Sequence, residues 1–156
     1  MHAHSLHRLL AATLVSAAIV TACGGDSPTE ASSHVGTYVL QTAAGQAAPA
    51  LIESVPDPES GKTIEVRVTS DTLELHADGT YRQRAQLEVR LGGELIGKST
   101  WSDHGELTVA GTTLHFDSSY LQNVAFDGAL TSGVVTLTQN LALEGADDVY
   151  VLTRVP

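Results

Sequence analysis

From His34 onward apolar and polar residues alternate with a period of two, and almost nothing repeats at the spacing of a helix. The first alternating stretch is HVGTYVLQ, residues 34–41. Residues 43–62 follow, AAGQAAPALIESVPDPESGK, in which Gly45, Pro49, Pro56 and Pro58 break the pattern. Proline removes a ladder donor. This segment is therefore expected to be a long connection, with at most a short strand at 50–54, and to be the best candidate for a cover over anything the fold encloses. Ile64, Val66 and Val68 then fall on one face, with Glu65 and Arg67 on the other.

Three hairpins are predicted after that. Leu73 and Leu75 face in, as do Tyr81, Ala85, Leu87, Val89 and Leu91; Glu74, His76, Arg82, Arg84, Glu88 and Arg90 face out. A two-residue Asp78-Gly79 loop would oppose Leu75 to Arg82 and mix the faces. A three-residue loop, 77–79, with a left-handed Gly79 opposes Leu75 to Tyr81 and Glu74 to Arg82, so that register is expected. Ala110-Gly111 predicts a second hairpin pairing Leu107 with Leu114 and Glu106 with His115. Ser132-Gly133 predicts a third, pairing Leu130 with Val135. Residues 98–103 lie between the first two hairpins, and a last strand covers 149–154.

The sum is an all-β chain of eight to ten antiparallel strands in sequential order. A meander of that kind leaves two open edges unless it closes, so a single up-and-down β-barrel is expected, with a two-sheet sandwich as the alternative.

The N-terminal end has a different pattern. A basic stretch (His2, His4, His7, Arg8) precedes twelve mostly apolar residues, 9–20, and small residues before Cys23. As a helix those twelve would span about 18 Å, short of the ~30 Å hydrocarbon core of a bilayer. They read as a leader and not as a transmembrane anchor. The string VTAC at 20–23 resembles the lipobox of bacterial lipoproteins. That resemblance implies removal of residues 1–22, diacylglycerol on the Cys23 thiol, acylation (palmitate, for example) of the new amino terminus, and anchorage to the cell membrane. Gly24 in place of Asp after the cysteine implies the outer membrane where there is one. GGDSPTEASS after Cys23 offers no apolar surface to pack a thiol and is expected to be a flexible tether, 23–33.

The remainder, 34–156, also resembles a known group. GTYVL, Gly45-x-x-x-Pro49, VTSDTLELHADGTY, Trp101 and ELTVAGTTLHF are similar to small bacterial lipocalin-like (calycin-like) domains. Lipocalins carry Gly-x-Trp on the first strand, covered by an arginine of the last. Here Gly36-Thr37-Tyr38 and Arg154 stand in similar places, with Tyr for Trp. The resemblance implies a calyx for a small apolar or amphipathic ligand.

Composition narrows the function. A formal charge of −10, or −11 once Arg8 leaves with the leader, argues against nucleic acid, whose binding rests on neutralising phosphates. A single cysteine rules out an internal disulfide. Beyond the leader, His34, His76, His104 and His115 are scattered, with no tight ligand spacing, so no metal and no cofactor is expected. The chain lacks a Gly-x-Ser-x-Gly elbow, a P-loop and a dinucleotide fingerprint. Asp103 shares the parity of Trp101 and neighbours His104, which makes it the acid to watch. An aspartate bonded to its own turn is the plainer account, and an enzyme is not expected. With aromatics at only 4 % of the chain, the candidate lining of a pocket is Tyr38, Tyr81, Trp101, Phe116, Phe126 and Tyr150, which could equally fill a core. The expected protein is thus a lipid-anchored envelope lipoprotein that binds a small hydrophobic ligand; the alternative is a solid barrel serving as a non-catalytic interaction module.

Overall fold

The structure, a computed structural model, describes residues 34–120, 124–141 and 147–156. The leader, the tether and Cys23 lie outside the described residues. Ten strands follow one another: β1 (Gly36–Ala43), β2 (Gln46–Ala47), β3 (Ala50–Pro56), β4 (Thr63–Leu75), β5 (Thr80–Leu91), β6 (Glu94–Ala110), β7 (Thr113–Ser118), β8 (Ala125–Thr131), β9 (Val134–Gln139) and β10 (Asp148–Arg154). Sequential neighbours from β3 to β10 pair antiparallel, β10 pairs with β1, and β1 pairs with β4 through Gly36↔Leu75 to Val39↔Thr72. That last pairing closes an eight-stranded antiparallel barrel, with β2 and β3 as additions. Closure removes the open edges that a sandwich of the same strands would keep.

The β4–β5 hairpin has the expected register, Leu75↔Tyr81 and Glu74↔Arg82. His76 N–H donates to Thr80 O at 2.9 Å across the three-residue loop, and Gly79 is left-handed at φ +78°. Leu130 pairs with Val135, also as expected. The β6–β7 hairpin differs: Leu107 meets Phe116, Glu106 meets Asp117, and Val109 meets Leu114. The loop is Gly111-Thr112, with the positive φ (+62°) at its first position, as a type II′ turn requires. A shift of two residues keeps every side chain on its face, so alternation does not separate the two registers.

Residues 43–62 are not a long irregular connection. β1 turns at Ala44-Gly45 into β2, and β3 then runs for seven residues along β4, from Ala50↔Val68 to Pro56↔Thr63. The prolines fit because Pro49 precedes the strand and Pro56 ends it, while Pro58 lies in the turn beyond; none removes an interior ladder bond. Instead of covering the fold, this segment widens its sheet.

The strands are unequal in length. β4, β5 and β6 have 13, 12 and 17 residues, against six to eight in β1 and in β7 to β10. Residues 98–103 are the middle of the unbroken β6. Only its last six residues, Gly105 to Ala110, pair with β7. The remainder of β6 and the matching halves of β4 and β5 run on past the barrel, with β3 as a fourth strand. Gly105 marks the branch: a Cβ there would sit 1.9 Å from Asp117 O, so only glycine lets β7 join at that point.

Packing fills the opposite end. Tyr38, Leu73, Tyr81, Leu114, Phe116, Leu137, Tyr150 and Leu152 are all buried inside it. Tyr81 meets Phe116 edge-on at 4.9 Å, and Phe116 stacks on Phe126 at 4.7 Å. Such pairs contribute about 0.5–1.5 kcal/mol each beyond area burial. The Arg154 guanidinium lies against Gly36, 2.8 Å from where a Cβ would be, and donates to Val35 O at 2.6 Å. Tyr38 and Arg154 are partners across β1 and β10, and the Tyr38 hydroxyl donates to His34 O at 2.7 Å.

Candidate functional site

At the end where β4–β6 overrun the barrel, their inward face is mainly apolar. Val55, Ile64 and Leu91 form one rung, ended by Glu94 of β6; Val66 and Val89 form the next, with Glu53 of β3 beside them; and Ala50, Val68 and Leu87 form a third. The following rung is Asp71, Ala85 and Trp101. On β6 the partners of Val89 and Leu87 are Gly97 and Ser99. Their small side chains leave space beside the half-buried Trp101. A hollow of about 380 Å³ results, walled by Val66, Leu87, Val89, Trp101, Tyr120 and Leu141, with Ser99, Thr100 and Ser102 along one side. A second, smaller one of about 280 Å³ lies against Trp101, Asp103, Val124, Phe126, Gln139 and Asp147. Trp101 is common to both. The outward face of the same sheet is ionic: Arg67 binds Glu65 at 3.0 Å, and Glu88 takes Arg90 at 3.1 Å and Lys98 at 3.2 Å.

Of the six aromatics proposed from sequence, the structure brings Trp101 and Phe126 to the hollows. Tyr38, Tyr81, Phe116 and Tyr150 are buried in the packed interior. Val66, Leu87, Val89, Tyr120, Leu141 and Gln139 were not among the proposed lining. The parity of β4 and β5 marks the first three as inward; the others come from strand ends and a loop, which alternation does not rank.

Asp103 is buried at 1 % exposure in mid-strand, away from any turn. It accepts from the Tyr81 hydroxyl at 2.7 Å, the Ser118 hydroxyl at 2.7 Å and the His104 N–H at 2.8 Å. It thus ties β5, β6 and β7 together. Burial, and then the bond to Asp103, push the Tyr81 phenol far above its usual range, so it remains a donor. The His104 side chain is exposed on the other face of the strand.

A second buried acid, Asp71, had no place in the sequence reading. Gln83 Nε2 donates to its Oδ2 at 2.7 Å. Asp71 Oδ1, Gln83 Oε1 and the Tyr150 hydroxyl have no hydrogen-bond partner among the described residues. Desolvation raises the Asp71 carboxyl to about 6. Burial also raises the Tyr150 phenol, helped by the charges of Asp148 and Asp71. On the outer surface the exposed His115 is bonded to Asp127 at 2.6 Å, which raises its pKa. Among the described residues no three His, Cys, Asp or Glu side chains converge as a metal site, and no helix is long and apolar enough to cross a membrane.

The fold and the site together define a small closed β-barrel, solid at one end and open at the other onto two hollows, one mainly apolar and one with polar and acidic walls. No protein-family model matches the chain, and neither a curated protein nor a solved structure was found to be similar to it.

Proposed function

We propose that this is an exported lipoprotein, anchored through lipid on Cys23 to the cell membrane (the outer one where there are two), whose barrel mouth holds a small apolar or amphipathic molecule. The observation that carries the binding half is the 380 Å³ hollow beside Trp101. Ligand pockets commonly fall between about 300 and 1,000 Å³ and are mainly apolar with a few polar groups. The reading is non-catalytic, since both oxygens of Asp103 are engaged by the protein's own donors. The anchoring half rests on the lipobox resemblance at 20–23.

Trp101 is the sole tryptophan, so its emission reports on the site directly. Titration with the neutral apolar probe N-phenyl-1-naphthylamine is expected to quench and blue-shift it saturably, with Val89→Asp weakening the probe at least tenfold. An emission unmoved at saturating probe would overturn the binding reading. For the anchor, mass spectrometry of membrane-extracted protein is expected to find a chain beginning at Cys23 with diacylglycerol on sulfur. A mature chain bearing a bare thiol would refute it.

A second reading, a solid barrel acting as an interaction module, is favoured by the exposed apolar side chains of Leu95, Ile96, Tyr120, Val124 and Val149. Under that reading a partner protein, and no small molecule, would protect Trp101 from acrylamide quenching.

A further inference from the structure

The smaller hollow differs in chemistry from its neighbour across Trp101. Its walls include Asp103 and Asp147, together with Gln139, Asn140 and Thr138. Gln139 is 7 % exposed, and its Nε2 has no hydrogen-bond partner among the described residues. A buried amide N–H left unpaired favours any occupant that brings an oxygen acceptor to it. Among the described residues no basic side chain lines either hollow. From Phe116 to Thr153 the chain contains no Lys, Arg or His at all, while Asp117, Asp127, Glu144, Asp147 and Asp148 all fall in that stretch. Of the cations of the overrunning sheet, Arg67, Arg90 and Lys98 are tied to Glu65 and Glu88 on its outward side, and Arg82 and Arg84 stand exposed on that same outward side.

Building on the ligand-binding reading above, we propose that the mouth selects an amphipath by its head: the apolar body lies along Val66, Leu87, Val89 and Trp101, and an uncharged or cationic head with an ester or hydroxyl oxygen meets Gln139, while anionic heads are excluded. An anion placed between the buried Asp103 and the exposed Asp147 loses part of its water and meets like charge, with no basic group in the hollow to offset either. A hydroxyl, an ester or an ammonium meets no such barrier. Free fatty acids and acidic phospholipid fragments are thus the wrong ligands, although their chains would fit the apolar side.

Three dodecanoyl compounds that differ only in the head test this: monolaurin (uncharged), lauroylcholine (cationic) and laurate at pH 8 (anionic), each titrated below its micelle concentration and read by Trp101 emission. Monolaurin and lauroylcholine are expected to bind saturably, and laurate at least tenfold more weakly. Asp147→Lys changes an exposed residue and leaves the core untouched; it is expected to improve laurate at least threefold and to weaken lauroylcholine. Gln139→Leu keeps the volume and is expected to weaken monolaurin severalfold. Equal binding of laurate and monolaurin by the unaltered protein overturns the head selection and leaves the binding reading standing. If none of the three moves the emission, both fall.

Discussion

Asp71 is held by Gln83 on one oxygen and has no hydrogen-bond partner among the described residues on the other, at 1 % exposure, so the fold resists its ionisation. Its carboxyl is raised to about 6, whereas an unfolded aspartate titrates near ~3.9. Below that lower value both states are protonated. As pH rises from about 4 to about 6 the unfolded chain releases this proton while the fold retains it, so stability falls through that window. Two pH units correspond to about 3 kcal/mol. Asp71→Asn is expected to remove this slope and to be the more stable protein at pH 8, as read from urea midpoints across the range; parallel curves for the two proteins would refute it. Asp71 was legible in principle. Ile64, Val66 and Val68 face in at even positions and Leu73 and Leu75 at odd ones, a switch that demands a bulge. The bulge lies between Val68 and Ser70, and it turns Asp71 inward. Gln83, flanked by inward Tyr81 and Ala85, is placed inside by alternation alone. What alternation does not supply is the pairing of the two.

Among the elements, the tight turns carry the next prediction. Ala44-Gly45 and Ser132-Gly133 both have two left-handed residues, at φ +48° and +73° and at +51° and +79°. The first residue of each is one for which that conformation costs about 1 kcal/mol or more, and asparagine tolerates it far better. Ala44→Asn and Ser132→Asn are each expected to raise stability by about 0.5–1 kcal/mol, measurable as a higher Tm for each and additive in the pair. A fall in Tm would show that the turns are of another type. Turn chemistry also explains which parts of the fold could be read in advance. The Asp78-Gly79 loop was fixed because the wrong choice would have mixed faces, whereas the β6–β7 loop was not, because both choices kept Leu107 and Val109 inward. β3 was expected only as a short strand at 50–54, and its full run to Pro56 was not read, because prolines at the two ends of a strand look, in sequence, like prolines within one. The unbroken length of β6 escaped for a similar reason: its in-facing Gly97 and Ser99 interrupt the apolar alternation, and those same small residues make the hollow.

At the scale of the whole molecule the two ends of the barrel are unlike. One gathers His34, the loops 77–79, 111–112 and 132–133, and Arg154 bonded to Val35 O. The other carries the tips of the overrunning sheet and the hollows around Trp101. The chain therefore comes into the barrel at the sealed end. Ten residues, 24–33, separate Cys23 from His34; a coil of that length would reach on the order of 20 Å. At ~3.3 Å per residue, the 13 residues of β4 alone span about twice that. A barrel tied down by Cys23 would stand on its sealed end with its mouth turned to the aqueous side. Traffic would then run between mouth and water, and extraction of a lipid directly from the anchoring leaflet would be geometrically disfavoured. Protein held on vesicles through the proposed lipid on Cys23 is accordingly expected to bind water-delivered monolaurin as tightly as the domain free of it does. It is also expected to gain nothing when the same compound is supplied in its own bilayer. Faster loading from that bilayer would place the mouth at the membrane instead. Such a molecule would act as a collector facing outward, handing cargo toward or away from the surface it stands on.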